Sequence, residues 1–217
     1  MNARARLSIS LLSALACGAG ALPASAAAQT PDDLREARTR GSATAPVTMY
    51  IMSDFECPYC GDFARGTFQT IEREYVETGR MKVVFVNFPL TSIHPNAEPA
   101  AEVAMCAARQ NKFWAMHDLL FRRQDAWVDL KDPGPYFLAL GDSIGANRAD
   151  LTVCLATHGT RALVQADAEG SARTGAHSTP SFYIEGGLMA GDQPIDVFRP
   201  ILDSIIQAKT RHGAPGR

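Results

Sequence analysis

Two cysteines separated by two residues, in Cys57-Pro58-Tyr59-Cys60, are the side chains of this sequence best placed to do chemistry. A Cys-x-x-Cys pair that opens a helix puts the first sulfur on the exposed helix N-terminus and the second about one turn inside. Unpaired N–H groups and the helix dipole there favour a thiolate at Cys57, so its pKa is expected to fall from ~8.5 into a range of ~3.5–7.5. A stabilised thiolate favours the reduced form and makes the disulfide more oxidising. Cys57 would then be both the sulfur that an incoming thiol attacks and the better leaving group, while Cys60 resolves the mixed disulfide. An inert bridge and half a zinc site are the competing readings. Against the first, so short a loop removes little chain entropy. Against the second, no further short-spaced pair follows. Pro58 suits the first helical position, where its missing N–H costs nothing. Tyr59 offers a packing surface or a hydroxyl but no positive charge.

The elements that must hold this pair can be read around it. Val47 to Phe55, VTMYIMSDF, is apolar and β-favouring, a buried strand by pattern. After CPYC, Ala64, Thr67, Phe68, Ile71 and Tyr75 recur at helical spacing, and Gly79 stands where a left-handed cap is wanted. MKVVFVNFPL, Met81 to Leu90, is the clearest strand, so a helix joins two strands that should be parallel. From about Pro99 to Ala172 the patterns are helical, four or five helices with no strand. Strand character returns at SFYIEGGLMAG, with Glu185-Gly186-Gly187 as a hairpin turn. A last helix carries Ile195, Phe198, Ile201, Leu202 and Ile205 inward, Asp192 placed to cap it. Pro200 should kink that helix or split off its first turn.

Composition narrows the function classes. The 217 residues are 46% hydrophobic and 20% charged with a formal net charge of −2, which excludes a strongly basic nucleic-acid binder. Arg4 and Arg6, an apolar stretch from Leu7 to Leu22, Pro23 and a run of small residues form a secretory pattern, with cleavage near Ala26 or Ala28. We therefore read 1–28 as a signal peptide, 29–44 as a polar leader with room for one loose helical turn, 45–208 as one domain with a helical insertion at about 95–175, and 209–217 as a tail. Localisation would be the periplasm or cell envelope, where disulfides persist. Removing the signal takes Cys17 and leaves four cysteines, which allow three pairings. Spacing favours Cys57 with Cys60 and Cys106 with Cys154, the latter as a structural disulfide. Two buried thiols or a second redox pair are the alternatives for Cys106 and Cys154. No phosphate loop, serine-nucleophile motif or metal triad appears.

The stretches SDFECPYCGDF, Ser53 to Phe63, and HSTPSFYI, His177 to Ile184, resemble the DsbA-like thiol–disulfide oxidoreductases of bacterial envelopes. The resemblance covers roughly Ala45 to Ala208. It implies an α/β thioredoxin-like fold, βαβ then ββα, with an all-helical insertion in the middle. It also implies that Thr179-Pro180 faces Cys57-Cys60, with Pro180 cis and the preceding backbone free to pair with an extended client. Pro58, Tyr59, Thr179 and Pro180 would bind substrate and tune the pair. The clients implied are exported proteins with free thiols, and the recycling partner a quinone-linked membrane protein. No cofactor or metal is required, and a monomer is expected. An isomerase or reductase kept reduced by a membrane electron donor is the first alternative; a non-enzymatic peptide-binding or chaperone module is the second. One position departs from the family: where an acid often stands six residues before the first cysteine, this chain has Ile51. Asp54 or Glu56 could replace it as a proton relay, or be solvated loop acids. His177 reads as a loop histidine.

Overall fold

The computed structural model describes residues 30–212. The signal-peptide pattern of residues 1–28 lies outside the described residues, as does the end of the tail. Five strands form one mixed sheet: β1 Thr39–Arg40, β2 Val47–Ser53, β3 Met81–Asn87, β4 Ser181–Ile184 and β5 Gly187–Ala190, in the order β1-β3-β2-β4-β5. β2 is central. It pairs parallel with β3 from Val47↔Met81 to Ser53↔Asn87, and antiparallel with β4 from Met49↔Ile184 to Met52↔Ser181. The β2–β3 crossover is made by α2 (Pro58–Arg65) and α3 (Thr67–Ile71), which runs on as a π-helical turn over Glu72–Val76. The single helix expected there is broken at Gly66, whose ψ of −96 lies outside the helical region. Gly79 closes the segment at φ +72, the left-handed conformation that favours glycine.

The inserted block holds α4 (Ala97–Ala108), α5 (Phe113–Arg122), a 3-10 turn at Gln124–Ala126, α6 (Gly134–Ser143), α7 (Arg148–Ala156) and α8 (Arg161–Arg173). α4 is its axis, with every residue from Ala100 to Ala108 buried. Its alanines combine the best helix propensity with the least bulk, so α5, α7 and α8 can pack round it. β4 and β5 form a hairpin over Glu185 (φ +47) and Gly186 (φ +92), the two positive φ values that a two-residue turn of matching twist requires. α9 (Ile195–His212) then packs on the sheet. The arrangement is the expected thioredoxin-like βαβ…ββα with a helical insertion.

One expectation needs correcting, and one is narrowed. Residues 31–40, read as part of a polar leader, build α1 (Pro31–Ala37) and β1, which pairs with β3 through Thr39↔Val84 and Arg40↔Val83. Thr30 starts α1 with a capping box to Asp33, and Leu34 anchors it in the core. Two residues of strand are too few to show a period in the sequence. Pro200, expected to kink the last helix or split off its first turn, does not split it: it is carried within one helix of 18 residues. Phe198, Leu202 and Ile206 are buried on either side of it, and that packing holds the helix across the hydrogen bond the proline cannot make.

The core has two parts. Val47, Met49, Ile51, Val83 and Phe182 on one face of the sheet pack with Phe63, Phe68, Phe198 and Leu202 from α2, α3 and α9. The block has its own core around α4, Phe113, Trp127 and Phe137. Trp114 packs against both and lies at the seam, with the Arg40 guanidinium 4.3 Å from its ring centroid.

Candidate active site

β2 delivers the chain to the site. Beyond Ser53, the Asp54 carboxylate folds the next residues into a tight turn. Its Oδ1 accepts from Glu56 N at 2.8 Å, and its Oδ2 accepts from Leu90 N at 2.8 Å and His94 Nδ1 at 2.7 Å. Phe55 is buried, stacks on Phe85 of β3 and packs against Phe121 of α5, both ring centroids 5.0 Å away, which pins the turn to sheet and block alike. Glu56 reaches across to accept from Asn96 N at 2.6 Å, at the head of α4. Cys57 is the N-cap of α2, with extended dihedrals and no side-chain capping bond, and Pro58 follows at the first helical position. Neither acid is the solvated loop residue considered from sequence. Asp54 is buried, both its oxygens are occupied, and burial pushes the Glu56 carboxyl upward.

Across the turn, the Thr179–Pro180 peptide bond is cis. Cys57 Sγ lies 3.5 Å from the Thr179 carbonyl oxygen and donates to it as a thiol. The two cysteines are free thiols. Cys57 is lowered to about 6, first by a hydrogen bond from the Cys60 thiol. Burial opposes this, and the Thr179 hydroxyl and the N–H groups of Cys60 and Tyr59 add to it. Thr179 Oγ1 is buried and has no other partner, so it is free to turn towards the sulfur. Cys60 is pushed well above the ordinary thiol range, first by burial and then by Cys57. The geometry thus separates the pair into an acidic thiol and a resistant one. It differs from expectation in exposure, because Cys57 is only 4% exposed where an open helix terminus was expected. Packing of the cis-proline segment and the block against the turn is what encloses it.

Tyr59 stands beside the pair at 64% exposure. Pro58 is exposed, Thr179 and Pro180 buried, and His177 exposed. Ile51 is sunk in the sheet core and faces apolar neighbours. Cys106 on α4 and Cys154 on α7 are joined by a disulfide, Cα–Cα 5.9 Å. Among the described residues no group of three His, Cys, Asp or Glu side chains is arranged to hold a metal ion.

Three residues that build the site have no local signature in the sequence: Gln124, His94 and Asn96. Gln124 is buried and donates both Nε2 hydrogens to the turn, to Phe55 O at 2.8 Å and Cys57 O at 2.9 Å. Its Oε1 occupies the space beside Gly61, where a Cβ would lie 2.3 Å away. Gly61 is therefore the price of seating the amide that ties the block to the CxxC turn. Gly61→Ala is expected to destabilise the reduced protein by about 1–3 kcal/mol, because the pinned amide must move, leaving the Phe55 carbonyl unpaired and the Cys57 carbonyl with only its bond from Gly61 N. Urea unfolding measures this; a change below about 0.5 kcal/mol, ordinary for an innocuous substitution, would contradict it.

Comparison with known proteins places this architecture in context. Residues 34–204 match the family described as Thioredoxin. Among curated proteins, the Na(+)/H(+) antiporter NhaA 1 of Salinispora arenicola is 31% identical over 180 residues, covering 80% of this chain and 25% of that protein. The Na(+)/H(+) antiporter NhaA 3 of Salinispora tropica is 42% identical over 95 residues, 44% of this chain and 14% of that protein. The chain thus spans a quarter or less of the length of these relatives. Among solved structures, oxidised BdbD from Bacillus subtilis superposes with a TM-score of 0.72 at 20% identity, covering 78% of this chain and 92% of that one. Wolbachia pipientis alpha-DsbA1 gives a TM-score of 0.72 at 20% identity, covering 81% and 93%.

Proposed function

Given that the chain belongs to the thioredoxin family and has a DsbA-like fold, we propose that it is a thiol–disulfide oxidoreductase that introduces disulfides into exported proteins through Cys57 and Cys60. The observation that carries this reading is the lowered Cys57 thiol at the head of α2, 3.5 Å from the backbone of Thr179. A thiolate stabilised at that point makes Cys57 the better leaving group and biases the pair towards giving its disulfide away. A client thiolate attacks Cys57 Sγ, the Cys57–Cys60 bond breaks, and a second client thiol then displaces Cys57. The client leaves oxidised and the protein reduced, Cys57 as the thiolate and Cys60 as the thiol. Pro58 and Tyr59 border the attacked sulfur, and Thr179 with Pro180 presents the backbone against which an extended client can align.

The secretory pattern at residues 1–28 supports export to the periplasm or envelope. A membrane oxidase of the quinone-linked kind is the recycling partner we propose, with the chain acting as a monomer. We carry no ion-transport role over from the antiporters. Reduced and scrambled ribonuclease, offered in parallel, test the assignment. Oxidation of the reduced substrate should be fast and recovery of the scrambled one slow. The reverse ranking would make the protein an isomerase, and refolding that survives loss of Cys57 would make it a binding module.

A further inference from the structure

A buried amide joins the helical block to the residue that reacts. Gln124 opens the 3-10 turn that follows α5, and its own carbonyl accepts from Trp127 N and Val128 N, both at 3.1 Å. Its side-chain oxygen faces the Arg65 guanidinium, with Nη1 3.5 Å away, so the amide nitrogen points the other way. There it meets two acceptors, Phe55 O at 2.8 Å and Cys57 O at 2.9 Å, neither of which could pair with an oxygen. Chemistry at both ends thus orients the amide. Phe55 O has no other partner among the described residues, while Cys57 O also takes Gly61 N at 3.1 Å. One nitrogen that bridges carbonyls two residues apart sets the peptide planes between which Glu56 and Cys57 turn. Pro58 confines the residue before it to extended backbone, and the clamp selects where in that region Cys57 sits, at φ −66 and ψ 124. In that setting Cys57 Sγ lies 3.5 Å from Thr179 O.

We propose that Gln124 is a positioning residue for the exchange reaction: through its amide the inserted block supports the CxxC turn and holds Cys57 in the setting in which its sulfur reacts. The inference rests on the exchange reading above. The groups that favour a thiolate at Cys57 are the Cys60 thiol, the Thr179 hydroxyl and the N–H groups of Cys60 and Tyr59, and each acts over a distance that this backbone setting determines. Without the clamp Cys57 can leave that setting. Phe55 O would also lose its donor, and an unpaired carbonyl dipole on the turn that carries the charge disfavours it. The titratable groups of the turn, Cys60, Asp54 and Glu56, with His94 against Asp54, keep their identity throughout the test.

Alkylation by iodoacetamide reads the sulfur without any client. In Gln124→Met, which keeps the length of the side chain and loses both donors, alkylation at pH 6 should slow about fivefold, a rise of about one pH unit in a midpoint that stands at about 6 in the wild type. The rate well above ~8.5, where any setting of the thiol is ionised, should be unchanged. Gly61→Ala displaces the same amide without removing it and should move the midpoint in the same direction. The two changes together should move it no further than Gln124→Met alone, because they act through one clamp. A midpoint that stays near 6 in Gln124→Met, or in Gly61→Ala should Gln124→Met not fold, would overturn the proposal, and so would two effects that add. An equal rise in a variant without the Cys106–Cys154 disulfide would overturn it as well, since a loosened block would then suffice. Failure of the exchange reading shows itself separately, as wild-type protein with its midpoint near 6 that oxidises no reduced ribonuclease.

Discussion

Cys57→Ser is expected to abolish disulfide transfer to a dithiol client, by on the order of a thousandfold or more, because no other group can form the covalent intermediate. Cys60→Ala should behave differently, since Cys57 keeps its helix terminus but loses the thiol that hydrogen-bonds it. Mixed disulfides should then form at Cys57 and persist on non-reducing gels. The Cys57 thiolate itself can be followed in the wild type by alkylation with iodoacetamide, half-maximal at about pH 6. Its sign in stability is fixed by linkage. The folded value lies below the unfolded one of ~8.5, so the unfolded chain binds the extra proton between them. Reduced protein should gain stability as pH rises from about 6 towards ~8.5 and lose it as pH falls back. Oxidised protein, with no such thiol, should lack that slope. An alkylation midpoint near the free-thiol value would remove the basis for an acidic nucleophile.

The second large effect concerns the helical block. The disulfide between Cys106 and Cys154 spans a sequence separation of 48 and ties α4 to α7. Closing a loop of that length removes ~4 kcal/mol of unfolded-chain entropy in the simplest treatment, and native disulfides are worth about 2–5 kcal/mol. A Cys106→Ala/Cys154→Ala double variant should lose stability in that range by denaturant unfolding while its Cys57 alkylation midpoint stays near 6. A shift in that midpoint would show that the block's bridge reaches the CxxC turn electrostatically or through backbone movement.

What could be read in advance follows from range along the chain. β2, β3 and the Glu185-Gly186 hairpin carry their signals locally, in unbroken apolar runs and in a turn that needs positive φ, and the sequence shows them. CPYC is equally local. β1 has two residues and exists because β3 offers it an edge, which no window of sequence reports. Gln124 lies 67 residues from Cys57 along the chain, and a glutamine on a helix-following turn looks like any surface residue until the fold brings it to two carbonyls. Asp54 is visible as an acid near the cysteines, but its partners at Leu90 and His94 are not, and they are what make it build the turn. The enclosure of Cys57 was missed for the same reason: exposure belongs to packed neighbours.

The seam between sheet and block has a use of its own. The sequence contains two tryptophans, Trp127 sealed inside the block and Trp114 wedged where the two cores meet. Their fluorescence therefore watches two places at once, and a single transition in emission would mean that the insertion and the sheet melt as one cooperative unit, whereas a staggered one would reveal the block loosening first.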